Sequence, residues 1–171
     1  MDGIALLGVS VAFSFVAFAW VMRLYAWPHL QAMSRESALQ ALIAPHMFRF
    51  IGLSFLVPGV VGTSLPSAFA VPAAYGDLAA TVLSMIAMVA LSARTSWAIG
   101  AVWVFNVVGM TDLLFAFYQG LIAVGLPSGA LGAAFYIPTM IVPPLLVTHA
   151  MIFWLLVRIP TRAVRHADRM L

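Results

Sequence analysis

The groups that could do chemistry in this sequence are the few polar side chains inside its long apolar stretches. Asp112 and His149 form the clearest pair, because they lie in two apolar stretches that follow one another along the chain. A carboxylate beside an imidazole fixes the imidazole tautomer and can exchange a proton with it near neutral pH. Asp112 and His149 are therefore the candidate catalytic residues, as a proton relay or as an acid-base pair acting on a lipid.

Helix geometry predicts where these two side chains lie. At the usual rise per residue, counted from the basic end of each stretch, His149 lies roughly 14 Å deep and Asp112 roughly 8 Å farther. Side chains lean toward the N-terminus of their own helix, so an antiparallel pair of helices brings these two together. We expect direct contact between Asp112 and His149. The alternative is a polar pair that only holds two helices together.

The predicted ligand-binding residues share a position inside an apolar stretch. They are His149, Asp112, Asn106, Tyr136, Gln119, Arg49 and His46. Gln119 falls on the same helix face as Asp112 and could line a route from outside. Arg49 and His46 stand near the start of their stretch, where an arginine can extend its side chain to water. That structural role is the favoured interpretation of Arg49 and His46, and a place in the site is the alternative.

Asp77 receives a different interpretation, because it follows Tyr75 and Gly76 at the predicted start of a helix. A carboxylate at that position accepts hydrogen bonds from the first free N–H groups of the helix. We expect Asp77 to cap the helix and to face water, and a role in guarding an outer entrance is the alternative.

The stretches that must position these groups are long enough to cross a bilayer. Five of them lie at about residues 4–22, 41–65, 78–93, 97–120 and 135–157. The chain is 64% hydrophobic and 8% charged, with a mean hydropathy of +1.09, which excludes a water-soluble domain. We predict an all-α integral membrane protein. It is a bundle of five transmembrane helices in a single domain, residues 1–171, with the lipid bilayer as a partner.

The fifth stretch indicates that the bundle has a polar interior. Two side chains in this stretch, Thr148 and His149, need hydrogen-bond partners that hydrocarbon cannot offer. Two prolines, Pro143 and Pro144, leave carbonyls one turn earlier without donors. These groups are expected to face other helices or a wet cavity.

The arginines predict the direction in which the helices cross. With five crossings, Arg23, Arg35, Arg94 and the four arginines of the tail 158–171 fall on one side, and the other side has none. Cytoplasmic loops carry the excess of basic residues. We therefore expect the N-terminus outside and the basic tail in the cytoplasm, in a bacterial inner (plasma) membrane. The same placement of charge argues against nucleic acid as a partner.

Two loops on the predicted outer side resemble each other in sequence. One reads VGTSLPS at 61–67 and the other VGLPS at 124–128. A repeated hairpin would produce this similarity, and chance is the alternative.

These features favour a protein that binds a lipophilic or quinone-like molecule in a polar cavity within the bundle. Three alternatives stay open: a proton-coupled transporter, which would need a homo-oligomer; a membrane enzyme acting on a lipid or a haem-binding redox protein; and an accessory subunit without a site. Haem would need His46 and His149 as ligands, but their estimated depths differ by roughly 8 Å. No metal site is predicted, since the chain has no cysteine and no metal-binding motif.

Overall fold

Five long helices make up the computed structural model, which describes residues 3–126 and 129–158. Each is long and apolar enough to cross a membrane, and we number them as the first to the fifth span: Ala5–Ala32, Arg35–Leu56, Ser67–Ser92, Ala98–Ala123 and Gly132–Val157. No β-strand occurs in the described ranges. The prediction of an all-helical chain with five helices of this kind is confirmed. The predicted basic tail lies, beyond Arg158, outside the described residues.

The span boundaries differ from the predicted ones at several prolines and polar residues, which do not end the helices. The first span continues through Pro28, because a π-helical turn at Met22–Ala26 shifts the hydrogen-bond pattern just before the ring. The third span begins at Ser67 and accommodates Pro72. The second span begins at Arg35, directly after Ser34, whose Oγ accepts a hydrogen bond from the Ser37 amide at 3.1 Å.

The second span changes its helix type along its length. It is α-helical over Arg35–Ile43 and forms a 3₁₀ helix of 13 residues over Ala44–Leu56. Such helices usually last only three or four residues, because their hydrogen bonds are poorly aligned. With three residues per turn, side chains at every third position form one straight row. The buried residues of the segment follow that spacing: His46, Arg49, Gly52 and Phe55.

The third span lies against the second and the fourth, and its contact face consists mainly of small residues. This buried face includes Ala70, Ala73, Ala74, Asp77, Ala80, Thr81, Ser84, Ala87 and Ala90. Small side chains let neighbouring helix backbones approach closely. The fifth span packs against the first and the fourth.

Two apolar cores fill the bundle, and a polar layer separates them. We term the end with residues 57–66, 124–126 and 129–131 the upper end, and the opposite end the lower end. The upper core includes Phe55, Phe69, Leu113, Leu131 and Ile137, and the lower core includes Leu39, Ile43, Val102, Phe105 and Ile152. The polar layer consists of His46, Arg49, Asp77, Thr81, Ser84, Asn106, Asp112, Thr148 and His149.

Hydrogen bonds close the bundle at both ends. At the lower end, Arg35 donates to the carbonyls of Leu155 and Leu156 at 3.1 and 2.9 Å. At the upper end, the loop 57–66 lies beside the start of the fifth span, since the Gly62 amide donates to the Ala130 carbonyl at 2.9 Å. Gly132 has a φ of 51°, and a Cβ there would lie 2.5 Å from a carbonyl oxygen, so this junction requires glycine.

Candidate functional site

A buried arginine joins three spans at the centre of the polar layer. Arg49 Nε donates to Asp77 Oδ1 at 2.7 Å, and Nη2 donates to Asp112 Oδ2 at 2.5 Å. Nη1 donates to the Gly109 carbonyl at 3.1 Å. The arginine is 1% exposed, so protein acceptors take the place of water around its guanidinium. We term Arg49, Asp77 and Asp112 the Arg–Asp–Asp cluster.

Glycines on the second and third spans make room for this cluster. A side chain on Gly52 would overlap the Asp77 carboxylate, and one on Gly76 would overlap the carboxylate of Asp112. Gly52 also stands one 3₁₀ turn after Arg49, in the same buried row. The local sequence therefore supplies both the buried charges and the space that they occupy.

His149 is held in one tautomer beside the cluster. Asn106 Nδ2 donates to the His149 backbone carbonyl at 3.2 Å, so the Asn106 Oδ1 that lies 2.7 Å from His149 Nδ1 is an acceptor. Nδ1 therefore carries a proton, and Nε2 holds a lone pair in the neutral ring. Nε2 is buried and has no hydrogen-bond partner among the described residues. A Cβ on Gly109 would lie 2.9 Å from this nitrogen and 3.0 Å from Arg49 Nη1, so both nitrogens border the space beside Gly109.

His46 is fixed in the same way. Thr148 donates its hydroxyl proton to the Leu145 carbonyl at 2.9 Å, so its oxygen accepts from His46 Nε2 at 2.9 Å. His46 Nδ1 is then the free acceptor, and it has no partner in the part of the chain that the structure describes. The rings of His46 and His149 lie 4.2 Å apart between centroids. An iron bonded on opposite sides would hold the two nitrogens about 4 Å apart and the ring centres farther apart still, so this arrangement does not fit two axial haem ligands.

The structure brings most of the predicted binding residues together. Those that meet in the polar layer are Asp112, His149, Asn106, Arg49 and His46. Gln119 lies above Asp112 on the fourth span, half-buried, and its Oε1 has no hydrogen-bond partner within the described ranges. Tyr136 does not belong to the site, because it is 66% exposed on the surface of the bundle.

The predicted direct contact between Asp112 and His149 is wrong. Asp112 pairs with Arg49, and His149 pairs with Asn106. Arg49 was expected to extend toward water, but it points into the bundle and takes the carboxylate. A charged donor satisfies a buried carboxylate better than a neutral imidazole does.

The predicted difference in depth between His46 and His149 is also wrong, since their rings are in contact. The estimate used α-helical rise for the whole second span, whereas a 3₁₀ helix rises about 2.0 Å per residue. It also started that span at residue 41 instead of Arg35.

Asp77 is the site residue that the sequence interpretation missed. It does not cap a helix in water: it lies inside the span Ser67–Ser92, is 7% exposed and bonds to Arg49. The usable signal was the run of small residues before it, because Ala70, Ala73 and Ala74 continue the helical spacing back past Asp77.

An apolar cavity in the upper core ends on the two carboxylates. Its volume is about 40 Å³, and Asp77 and Asp112 line it together with apolar residues such as Phe55, Phe69 and Leu113. Arg49 is not among the lining residues, so a molecule in this cavity would meet the acids and not the guanidinium.

The cavity adjoins a wider recess of about 250 Å³ near the upper end. The two share the lining residues Leu7, Gly120, Leu121, Leu126 and Leu131. Together they form a narrow throat above the carboxylates and a broader apolar space beyond it.

Comparison with known proteins gives one match, to a protein family. No curated protein and no solved structure matches the chain. The model of a domain of unknown function, DUF8737, matches residues 6–157, a range that contains the whole polar layer. The chain therefore belongs to the DUF8737 family.

Proposed function

We propose that this protein is a membrane protein that binds a lipophilic small molecule in the cavity above Asp77 and Asp112. The observation that carries the proposal is an apolar cavity closed by two carboxylates that a buried arginine holds in place. Small-molecule sites typically combine apolar walls with a few fixed polar groups that orient the ligand. The cavity supplies the walls, and the Arg–Asp–Asp cluster supplies the polar groups.

We place the bundle in a bacterial plasma membrane with the lower end in the cytoplasm. The proposed location in a membrane is supported by five helices that are long and apolar enough to cross one. The described arginines outside the polar layer support the direction, because all of them lie toward the lower end: Arg23, Arg35, Arg94 and Arg158. The N-terminus, the throat and the recess then face the outer leaflet.

The recess offers the ligand access from the side of the bundle. It is lined by Leu6 and Leu7 of the first span and Leu121 of the fourth. Leu6 is 50% exposed and Leu121 is 44% exposed, and the first span is the least buried of the five. A molecule dissolved in the bilayer could therefore reach the throat between these two spans.

A glycine in the throat allows the proposal to be tested. Gly120 lines both the throat and the recess, and a Cβ there would already lie 3.3 Å from both Leu126 Cδ1 and Phe69 Cε2. Gly120→Leu should fill the space that the ligand needs. Gly100→Leu is the matched control, because nothing lies within 4 Å of a Cβ at that position.

Binding would be measured by saturation-transfer NMR in lipid nanodiscs with two neutral probes, 2-phenylethanol and duroquinone. We expect wild type and Gly100→Leu to bind at least one probe and Gly120→Leu to bind it about tenfold more weakly, because the added side chain takes its place. Leu121→Trp, which narrows the recess at an exposed position, should act in the same direction. Equal binding by all four proteins, or by none, would overturn the proposal.

A further inference from the structure

The Arg–Asp–Asp cluster has an unequal number of charges. Two carboxylates face one guanidinium, so their formal sum is −1 with both acids ionised. The other charged residues of the described ranges, Arg23, Arg35, Glu36, Arg94 and Arg158, lie toward the lower end, away from the cavity. A buried charge without a counterion is strongly disfavoured. The cluster therefore calls for one further positive charge, carried by a proton or by a ligand.

The two carboxylates of the cluster, Asp77 and Asp112, form the polar part of the cavity lining. Arg49 engages Oδ1 of Asp77 and Oδ2 of Asp112, one oxygen of each carboxylate. The side chains of Asp77 and Asp112 remain 9% and 15% exposed, and both line the cavity. The negative charge that the arginine leaves unmatched thus faces the space where a ligand would bind.

The two imidazoles do not face the cavity. His149 Nε2 and His46 Nδ1 are buried without a hydrogen-bond partner among the described residues, and neither residue lines the cavity. A proton on either nitrogen would be a buried donor without an acceptor, which is disfavoured. We therefore treat both imidazoles as neutral, so neither compensates the acids.

The shape of the cavity limits the kind of cation. The throat of about 40 Å³ has room for a narrow group of water-like width, whereas the recess of about 250 Å³ can hold an apolar body. A primary ammonium on a short methylene stem is narrow and carries three N–H donors. A bulky quaternary ammonium does not fit the throat as well.

We propose that the ligand of this cavity is a lipophilic primary amine, bound as its ammonium ion by Asp77 and Asp112. The inference rests on the proposed function and deepens it by naming the ligand class. The ammonium enters the throat and supplies the positive charge that the cluster lacks, while the apolar body stays in the recess.

The test compares two probes of the same size that differ in charge: 2-phenylethylammonium and 2-phenylethanol. Binding to the full chain in nanodiscs of neutral phosphatidylcholine is measured at pH 7, where alkyl amines are protonated. We expect wild type to bind the ammonium about tenfold or more tightly than the alcohol, because only the ammonium balances the cluster.

Asp112→Asn is the first variant, since it removes the unmatched charge and leaves Arg49 paired with Asp77. We expect it to bind both probes about equally. Asp77→Asn is the second variant and repeats the test should the first fail to fold. Gly100→Leu is the control and should keep the preference of wild type.

The possible results separate this inference from the proposed function. A preference for the ammonium in wild type that is lost in either Asn variant supports both. Equal binding of the two probes by wild type overturns the amine inference, since a proton then balances the cluster, but it leaves the proposed function intact. Binding of neither probe overturns the amine inference, and it overturns the proposed function as well when duroquinone also fails to bind.

Discussion

Arg49 is the residue on which the burial of two carboxylates depends. It donates to Asp77, Asp112 and Gly109 from three different nitrogens. We predict that Arg49→Met destabilises the protein by about 3–5 kcal/mol, because it leaves two buried acids without a cation. Unfolding would be followed by circular dichroism in detergent micelles with increasing dodecyl sulfate.

The matched variant is Arg49→Met combined with Asp77→Asn and Asp112→Asn. It removes all three charges at once and keeps the shape of the acids, so it should regain most of the lost stability. If Arg49→Met is as stable as wild type, or if the triple variant is no better than Arg49→Met, the cluster does not stabilise the fold in this way.

Gly109 has no side chain, and the space beside it is occupied by the side chains of His149 and Arg49. A Cβ there would lie 2.8 Å from His149 Cε1 and 3.0 Å from Arg49 Nη1, and both side chains are held by hydrogen bonds. We predict that Gly109→Ala costs about 1–3 kcal/mol, because the crowded side chains must move. On the same span, Gly100→Ala should stabilise the protein by about 0.5–1 kcal/mol, since its Cβ meets nothing within 4 Å.

These two glycine variants have opposite expected signs in one helix, so each serves as the reference for the other when both are measured in the same detergent. Thermal unfolding monitored by tryptophan fluorescence would measure both. A Gly109→Ala protein that is as stable as Gly100→Ala would show that the polar layer yields more easily than its contacts indicate.

The sequence predicted several residues of the polar layer, but it did not predict which of them bond to one another. Depth counting puts Asn106 and His149 at one level, and side-chain direction adds Asp112; the structure has all three in the polar layer, because the fourth and fifth spans are long and mostly regular. It could not assign Asp112 to Arg49, since that pairing depends on a helix type that hydrophobic spacing does not reveal. The role of Asp77 was not predicted for a related reason. Its helix begins at Ser67, well before the Tyr75-Gly76-Asp77 stretch that was interpreted as the helix start.

At the scale of elements, the 3₁₀ segment Ala44–Leu56 sets the position of both His46 and Arg49. An α-helix would turn successive positions away from a straight row, and a buried stripe starting at residue 46 would drift from position 55 toward position 56–57. The structure has Phe55 at 5% and Leu56 at 39% exposure. Burial of every third residue is therefore the pattern that distinguishes the 3₁₀ helix from an α-helix in this segment.

We predict that a cysteine scan across residues 45–56 will report this three-residue period. The chain contains no cysteine, so each substitution can carry a spin label without background. Arg49 and Gly52 are left unlabelled, because a change at either disturbs the cluster. Collision of the label with oxygen should be low at both 46 and 55 and high at 48, 51 and 56. Minima spaced by about 3.6 residues would instead show that the segment is α-helical in a bilayer.

At the scale of the whole molecule, the polar layer divides the apolar interior into an upper and a lower core. The lower core is closed by Arg35 and by the stacking of Arg158 on Trp154, at 3.5 Å from the ring centre. The upper core contains the throat and borders the recess. Access to the cluster is therefore one-sided, so under the proposed function the direction of the bundle in the membrane would decide which leaflet supplies the ligand.

The positive-inside pattern predicts that direction, and two serines can test it. Ser64 lies in the upper loop 57–66 and Ser96 in the lower turn between the third and fourth spans, and both are exposed. We predict that a membrane-impermeant maleimide labels Ser64→Cys in intact bacterial cells and labels Ser96→Cys only after the cells are permeabilised. The two substitutions are chemically identical and the chain has no other cysteine, so each serves as the control for the other. The reverse pattern would place the throat in the cytoplasmic leaflet, and the ligand would then have to come from inside the cell.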